Sequence, residues 1–290
     1  MITPKVKSLK SYKTPLRYPG GKSRALSKIF QFAPDLTKVK QYREPFLGGG
    51  SVALEMSKRY PMMDIWVNDL YEPLYNFCCV LQHDVDELYE TLFDLKSVYC
   101  NQDAARCLFD AMKEAINNKD ITDVERAVAF YVVNKCSFSG LTESSSFSAQ
   151  ASDSNFSMNG INKLIEYSHM IESWTITNLS YEELLTDDKD IFLYLDPPYD
   201  IKDNLYGKKG SMHKGFDHDG FATICDRFVG PQLISYNSSQ LIKDRFKEYQ
   251  AGEFDLTYTM RSVGEYMREQ KDRKELLLYN YGIEALAELN

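Results

Sequence analysis

Val39-Lys-Gln-Tyr-Arg-Glu-Pro-Phe46 runs into Leu47-Gly-Gly-Gly50 and then into Ser51-Val-Ala-Leu-Glu-Met-Ser-Lys-Arg59. The first run has strand character, the glycines form a turn, and the last run has helical spacing with a Ser51 that can cap its start. Strand, glycine turn, helix is the unit by which open α/β sheets bring a ligand against the backbone. A second short strand over Met63 to Val67 ends at Asn68-Asp69, and Leu70 to Leu81 is helix-compatible. Asp69 lies 19 residues past Gly50, about the interval at which such folds set an acid on ribose hydroxyls. The pairing points to an adenosine-type ligand, against the plainer reading of a structural turn, and does not say which adenosine compound.

Working outward, the pattern from Gln82 to Ser168 changes to amphipathic helices, as in Val85 to Leu95 and Ala104 to Ile116, then a more apolar one over Val124 to Asn134. This stretch reads as an insertion, residues 82–168, in a catalytic domain formed by 1–81 and 169–290. It closes on a serine-heavy run, Ser137 to Asn159, expected as loop or hairpin. Strand signals resume at Trp174 to Thr177, Ile191 to Leu195 and Pro231 to Tyr236, and the late runs Phe254 to Met260 and Lys274 to Tyr281 resemble paired strands. Strands interleaved with helices imply a mostly parallel α/β sheet.

Ile191-Phe-Leu-Tyr-Leu-Asp196-Pro197-Pro198-Tyr199 carries the chemistry. Neither proline has an N–H, and the residue before a proline is driven out of helical conformation, so the chain leaves the strand on a rigid, extended path. The Asp196 carboxylate and the Pro197 carbonyl are then two acceptors fixed beside each other at the carboxyl end of a strand, where α/β sheets bind ligands. An aromatic amine matches that pair: its two N–H groups can donate to both, which favours a tetrahedral nitrogen and stabilises positive charge as it attacks a methyl group. Tyr199 would stack on the base. The plainer reading is a strand ending in a Pro-Pro turn capped by Asp.

The net charge of −8 argues against a polyanion ligand only as an average. Met1 to Pro34 hold no acid and eight bases, Lys5, Lys7, Lys10, Lys13, Arg17, Lys22, Arg24 and Lys28. A basic arm on an acidic body suits a polyanion held at one face, or a solvated tail. Gly-Lys-Ser at 21–23 resembles the end of a phosphate loop, but Leu16 stands where its first glycine is required. The six cysteines show no Cys-x-x-Cys spacing and lie apart from the four histidines, so neither a metal site nor a disulfide framework is indicated, and mostly buried, reduced thiols are expected. His213 and His218 read as surface residues. No run approaches the roughly eighteen apolar residues of a membrane span, so no membrane partner and a cytoplasmic location are expected.

Taken together and in order, Pro15-Leu-Arg-Tyr-Pro-Gly-Gly-Lys22, Glu44-Pro-Phe-Leu-Gly-Gly-Gly50, Asn68-Asp69 and Asp196-Pro-Pro-Tyr199 resemble the motifs of the Dam-type (D12 class) DNA adenine-N6 methyltransferases, and the likeness runs on to Lys274-Glu-Leu-Leu-Leu-Tyr-Asn280. The resemblance implies a Rossmann-like methyltransferase sheet with a final antiparallel hairpin, S-adenosylmethionine as the cofactor, and double-stranded DNA as the partner. It implies that Tyr18, Lys22, Phe46, Gly48, Gly49, Gly50, Asp69 and Asp196 bind the cofactor. Asp196, Pro197, Pro198 and Tyr199 would receive the target adenine. The insertion falls where the family carries its target-recognition domain. Because pairing hides the N6 amine, the base must be flipped out, at a few kcal/mol of unstacking.

On the same resemblance, Arg17, Lys13, Asn134 and Lys135 would meet DNA. The loop Lys202 to Phe216, which adjoins the proposed pocket and carries Lys208, Lys209 and Lys214, reads as a mobile, phosphate-contacting lid, against the plainer reading of a solvated loop. Two departures stand out. Ser180-Tyr181 replaces an acid followed by an aromatic residue, and Glu143 stands where an Arg is expected after Asn134-Lys-Cys-Ser-Phe-Ser-Gly-Leu141. Arg is the usual reader of guanine, so the recognition sequence is not inherited. Rival readings are methyl transfer to cytosine N4 or to RNA, and a non-catalytic cofactor-binding regulator. The sequence leaves open a host, phage or restriction-modification setting and the oligomeric state, with a monomer as one expectation.

Overall fold

The computed structural model describes residues 13–140, 142–199, 215–255 and 274–283. Seven strands form one sheet: β1 (Gln41–Glu44), β2 (Asp64–Asn68), β3 (Thr175–Thr177), β4 (Ile191–Leu195), β5 (Gln232–Asn237), β6 (Gln250–Asp255) and β7 (Lys274–Tyr279). Their order is β3-β2-β1-β4-β5-β7-β6. β1 to β5 pair in parallel, and β7 inserts antiparallel between β5 and β6. This is the methyltransferase-type sheet with its closing hairpin. The order reverses between β1 and β4, whose Gln41 and Ile191 lie in register, and a ligand crevice opens outside the carboxyl ends of strands at such a reversal.

Strand β4 shows why the residues choose this place. A central parallel strand is covered on both faces and so reads as a continuous apolar run. Phe192 and Tyr194 point into the larger apolar cluster, under helices of the N-terminal half, while Leu193 and Leu195 point into the smaller one, with Phe221, Ile242 and Phe246. All four strand residues are buried, each contributing about 1.5–3 kcal/mol of apolar burial.

Before β3 the chain builds helices α1 (Leu26–Ile29), α2 (Ser51–Arg59), α3 (Glu72–His83), α4 (Val85–Val98), α5 (Gln102–Ala115), α6 (Asp123–Cys136), α7 (Ala149–Ser154), α8 (Met158–Asn162) and α9 (Leu164–Ile171). After β4 come α10 (His218–Cys225) and α11 (Gln240–Arg245). Helix α6 is the pivot of the insertion. It begins at a capping box, with Thr122 Oγ1 accepting from the Glu125 N–H at 3.1 Å and Glu125 Oε2 from the Thr122 N–H at 2.7 Å. Twelve of its fourteen residues are buried, because it packs against α3, α4, α5 and α7. Both expected domain boundaries, at 82 and at 168, fall inside helices, α3 and α9.

Three local expectations differ. Ser51 does not cap α2; the cap position is Gly50 in a left-handed conformation, with no side-chain bond. Within Ser137 to Asn159, Ser148 and Ser157 accept from the N–H groups of Ala151 and Gly160 and start α7 and α8, although an antiparallel bridge between Ser137 and Phe147 keeps part of the hairpin expectation. Of the cysteines, Cys78, Cys136 and Cys225 are buried, but Cys100 and Cys107 are exposed. Among the described residues no helix is long and apolar enough to cross a membrane, and no group of three His, Cys, Asp or Glu side chains could hold a metal ion.

Candidate active site

The carboxyl ends of β1, β2 and β3 are tied together by one side chain. Asn68, fully buried, donates to the carbonyls of Pro45 at 3.1 Å and Leu179 at 3.0 Å, and accepts from the Leu179 N–H at 2.7 Å and Thr177 Oγ1 at 2.9 Å. Its neighbour Asp69 is thereby presented to the glycine turn: Oδ2 accepts from the Gly48 N–H and Oδ1 from the Tyr71 N–H, both at 2.9 Å. Burial pushes the Asp69 carboxyl up to about 6, against the pull of those two amides.

The glycines serve a purpose the sequence did not disclose. Gly48 has φ +50° and Gly50 φ +68°, a region costly for residues with a Cβ. A Cβ on Gly48 would also lie 3.0 Å from Tyr18 Cε1, and one on Gly49 would lie 3.0 Å from Tyr18 Cβ. The close approach they permit is therefore that of Tyr18, from the N-terminal motif. Phe46 turns to the other side, stacked on Tyr181 at 5.4 Å and 28° and meeting Phe216 and Phe221 edge-on. Tyr181 is the aromatic half of the departure noted at 180–181.

Lys22 reaches the end of β4. Only 3% exposed, its ammonium donates to Asp196 Oδ1 at 2.8 Å, to Asp196 Oδ2 at 2.7 Å and to the Gly20 carbonyl at 3.0 Å. It also lies 4.9 Å from the centre of the Tyr199 ring. Lys22 thus joins the Asp196 turn directly, although it was expected among the cofactor residues. Asp196 keeps 21% of its side chain exposed. Its carboxyl is pushed up to about 6, chiefly by burial and further by Glu275, while Lys22 pulls it down. Pro197 is buried and Pro198 half-buried. The Tyr199 hydroxyl donates to Glu275 and lies 3.3 Å from Ser235 Oγ.

Glu275, on β7, and Ser235, on β5, escaped the sequence reading. The available signal was an acid at the head of the apolar run Leu276 to Tyr279. Glu44, at the end of β1, is also a buried acid: it accepts from Tyr42 Oη at 2.6 Å, and burial pushes its carboxyl up to about 8.

The expected DNA-facing residues divide. Lys13 is exposed and Arg17 half-buried. Asn134 is fully buried, accepting from the Arg17 N–H at 2.9 Å and donating to the Arg17 carbonyl at 2.7 Å. It clamps the N-terminal motif to the end of α6, an attachment reinforced by Arg17 Nη1 donating to the Ser137 carbonyl at 2.7 Å. Lys135, 8% exposed, sits over the Tyr131 ring, and burial lowers its ammonium to about 8. His218 is half-buried, with Nδ1 2.8 Å from Tyr236 Oη, and is not a simple surface residue. Lys208, Lys209, Lys214 and His213 lie outside the described residues.

A family model, the D12 class N6 adenine-specific DNA methyltransferases, matches residues 18–260. The chain is 32% identical over 133 residues to the Type II methyltransferase M.MjaIII of Methanocaldococcus jannaschii, across 43% of this chain and 46% of that one. It is 30% identical to the DNA N-6-adenine-methyltransferase of Escherichia phage P1, across 43% of this chain but only 15% of the phage protein. Similarity to the DNA adenine methylase of Haemophilus influenzae is lower, at 27%, but covers 96% of this chain and 98% of that one. The matched stretch thus spans under half the length of the first two relatives and nearly the whole of the third. The match from Tyr18 through the Asp196 turn includes the glycine turn, Asp69 and the two-proline turn that the sheet brings together, and the chain belongs to the D12 class of N6 adenine-specific DNA methyltransferases.

Proposed function

We propose that the protein methylates the N6 amine of an adenine flipped out of double-stranded DNA, using S-adenosylmethionine. Family membership implies S-adenosylmethionine-dependent methyl transfer. The observation that carries the reading is the Asp196 carboxylate, seated where the strand order reverses and already engaged by the N–H groups of an ammonium. An acceptor that holds Lys22 through both oxygens is equally suited to the N–H of an aromatic amine.

The cofactor residues fit their group. Each Asp69 oxygen accepts one amide and keeps a further lone pair for a ribose hydroxyl. When bound, S-adenosylmethionine supplies an electrophilic methyl group on a positively charged sulfur. Tyr18 packs the glycine turn beside Asp69, and Phe46 with Tyr181 gives it an aromatic flank. At the amine, Asp196 accepts one N6–H and the Pro197 carbonyl the other. As the nitrogen gains its fourth bond the Asp196 charge stabilises the developing cation, and the surplus proton then leaves through that carboxylate. Tyr199 offers its ring to the flipped base.

The insertion 82–168 is the proposed target-recognition domain, and Lys13, Arg17 and the basic arm are the proposed phosphate contacts. The reaction needs no metal, and a single copy of the chain carries the proposed set. The test is nucleoside analysis of methylation-free DNA treated with the protein and labelled cofactor. N6-methyladenine is expected, and it should vanish with Asp196→Ala; label confined to any other nucleoside rejects the reading.

A further inference from the structure

Glu275 lies in the closing run Lys274 to Asn280, outside the four site motifs, yet it contacts two of them, through Lys22 and Tyr199. It is 2% exposed, on the antiparallel strand β7, in register with Asn237 of β5. Three groups converge on its Oε1: the Tyr199 hydroxyl donates to it, Ser235 Oγ donates at 2.7 Å, and Lys22 Nζ lies 3.5 Å away. A tyrosine and a serine would be satisfied by a neutral acceptor, and a buried carboxylate costs several kcal/mol of desolvation unless a cation balances it. The cation is Lys22, shared between Asp196 at 2.7 Å and Glu275 at 3.5 Å.

We propose that Glu275 is a positioning residue of the methyl-transfer centre: it holds the Tyr199 ring in place through its phenol and offers Lys22 a second carboxylate when the target amine competes for Asp196. The inference rests on the function proposed above. In this structure both Asp196 oxygens hold Lys22. Each oxygen keeps a further lone pair for an amine N–H, but an amine drawing on the same carboxylate weakens its hold on the buried ammonium, whose other acceptor at the turn, the Gly20 carbonyl, is neutral. Glu275 Oε1, 3.5 Å from Lys22 Nζ, is a second carboxylate toward which a small rotation of the lysine chain brings the charge. Its second contact acts on the base, because a phenol tethered to a carboxylate keeps the whole ring from swinging about χ1 out of its stacking position. Glu275 would not touch the substrate; it acts through Lys22 and Tyr199.

The test is a double-mutant cycle in the full chain, Glu275→Gln with Tyr199→Phe, read as kcat for methyl transfer, with cofactor affinity by calorimetry and the thermal midpoint measured alongside. Each single variant is expected to lower kcat about tenfold, or about 1.4 kcal/mol, with cofactor Kd within about twofold. The double variant should be no more than about twofold below the worse single one, because the two residues act as one unit. Glu275→Asp, which keeps the charge, should lie between Glu275→Gln and the parent, and it carries the test if Glu275→Gln does not fold. Multiplying losses, an unchanged kcat in Glu275→Gln, or no recovery in Glu275→Asp overturns the proposal. The cycle is read on whichever base is methylated: coupling seen on cytosine N4 keeps the role of Glu275 while rejecting adenine, and a parent protein that methylates no base rejects both.

Discussion

Lys22 Nζ and the two carboxylate oxygens of Asp196 lie 2.8 and 2.7 Å apart, joining the N-terminal motif to the turn after β4 across 174 residues of chain. In the proposed reaction the Asp196 charge stabilises a positive nitrogen, so activity should rise with pH as the carboxyl ionises near 6. Glu275, Glu44, Tyr194 and Tyr199 also face this group, and Lys22 is the cation opposing them. Lys22→Met removes the influence that lowers the Asp196 pKa. The acid limb of the kcat profile should therefore move to higher pH, with a loss of about tenfold or more at pH 7. A profile over pH 5–9 for both proteins checks it, and an unmoved limb refutes it.

Asp69 is predicted to matter to the cofactor and not to DNA. Asp69→Ala removes the proposed ribose acceptor and also frees the Gly48 N–H. Charge-assisted hydrogen bonds are worth about 1.5–3 kcal/mol, so cofactor Kd should rise about 10- to 100-fold while DNA affinity stays within about twofold. Calorimetry with each ligand measures both; the reverse order of effects removes the ribose assignment.

Asn134 is predicted to act on stability. Asn134→Ala strands the Arg17 N–H and carbonyl inside the protein, at about 2–4 kcal/mol for the pair. The thermal midpoint should fall by about 3–7 °C. A loss of DNA affinity with an unaltered midpoint would instead restore Asn134 as a DNA contact.

Glu44 should make the fold less stable in alkali. Its carboxyl titrates near 8 in the fold against about 4.5 unfolded, so between those values the folded state binds more protons, and stability falls as pH rises through the window. Glu44→Gln keeps the volume and removes the titration. Denaturant unfolding at pH 5 and pH 9 should show a clear decline for the parent and a much smaller one for the variant.

Much of the sheet was legible because its signals are local. The run Ile191 to Leu195 has the same bounds in the structure as in the sequence: burial on both faces demands an unbroken apolar run, and the residues after Asp196 cannot continue a ladder without N–H groups. The glycine turn and Asp69 were legible for the same reason. Short helices were not. Helices α7 and α8 have six and five residues, too few to display a period, and the serines that start them look like loop composition.

The site was half visible. Asp196, Tyr199 and Lys22 announce themselves by motif, but the partnership of Lys22 with Asp196 depends on how the N-terminal motif lies over the glycine turn. Asn134 shows what a motif leaves out: the family likeness of Asn134 to Leu141 suggests a DNA contact, and only the fold reveals that its amide is buried against the Arg17 backbone. Glu275 was hidden because β7 enters between β5 and β6, a placement that nothing near residue 275 encodes.

That placement has a consequence for synthesis. Lys22, Asp196 and Glu275 meet only after β7 has threaded into the sheet, so a ribosome-bound chain carries an unfinished centre until β7 emerges. On the proposed function, a molecule cut short of β7 would lack Glu275 together with the strand that joins β5 to β6, and methyl transfer would be lost with them.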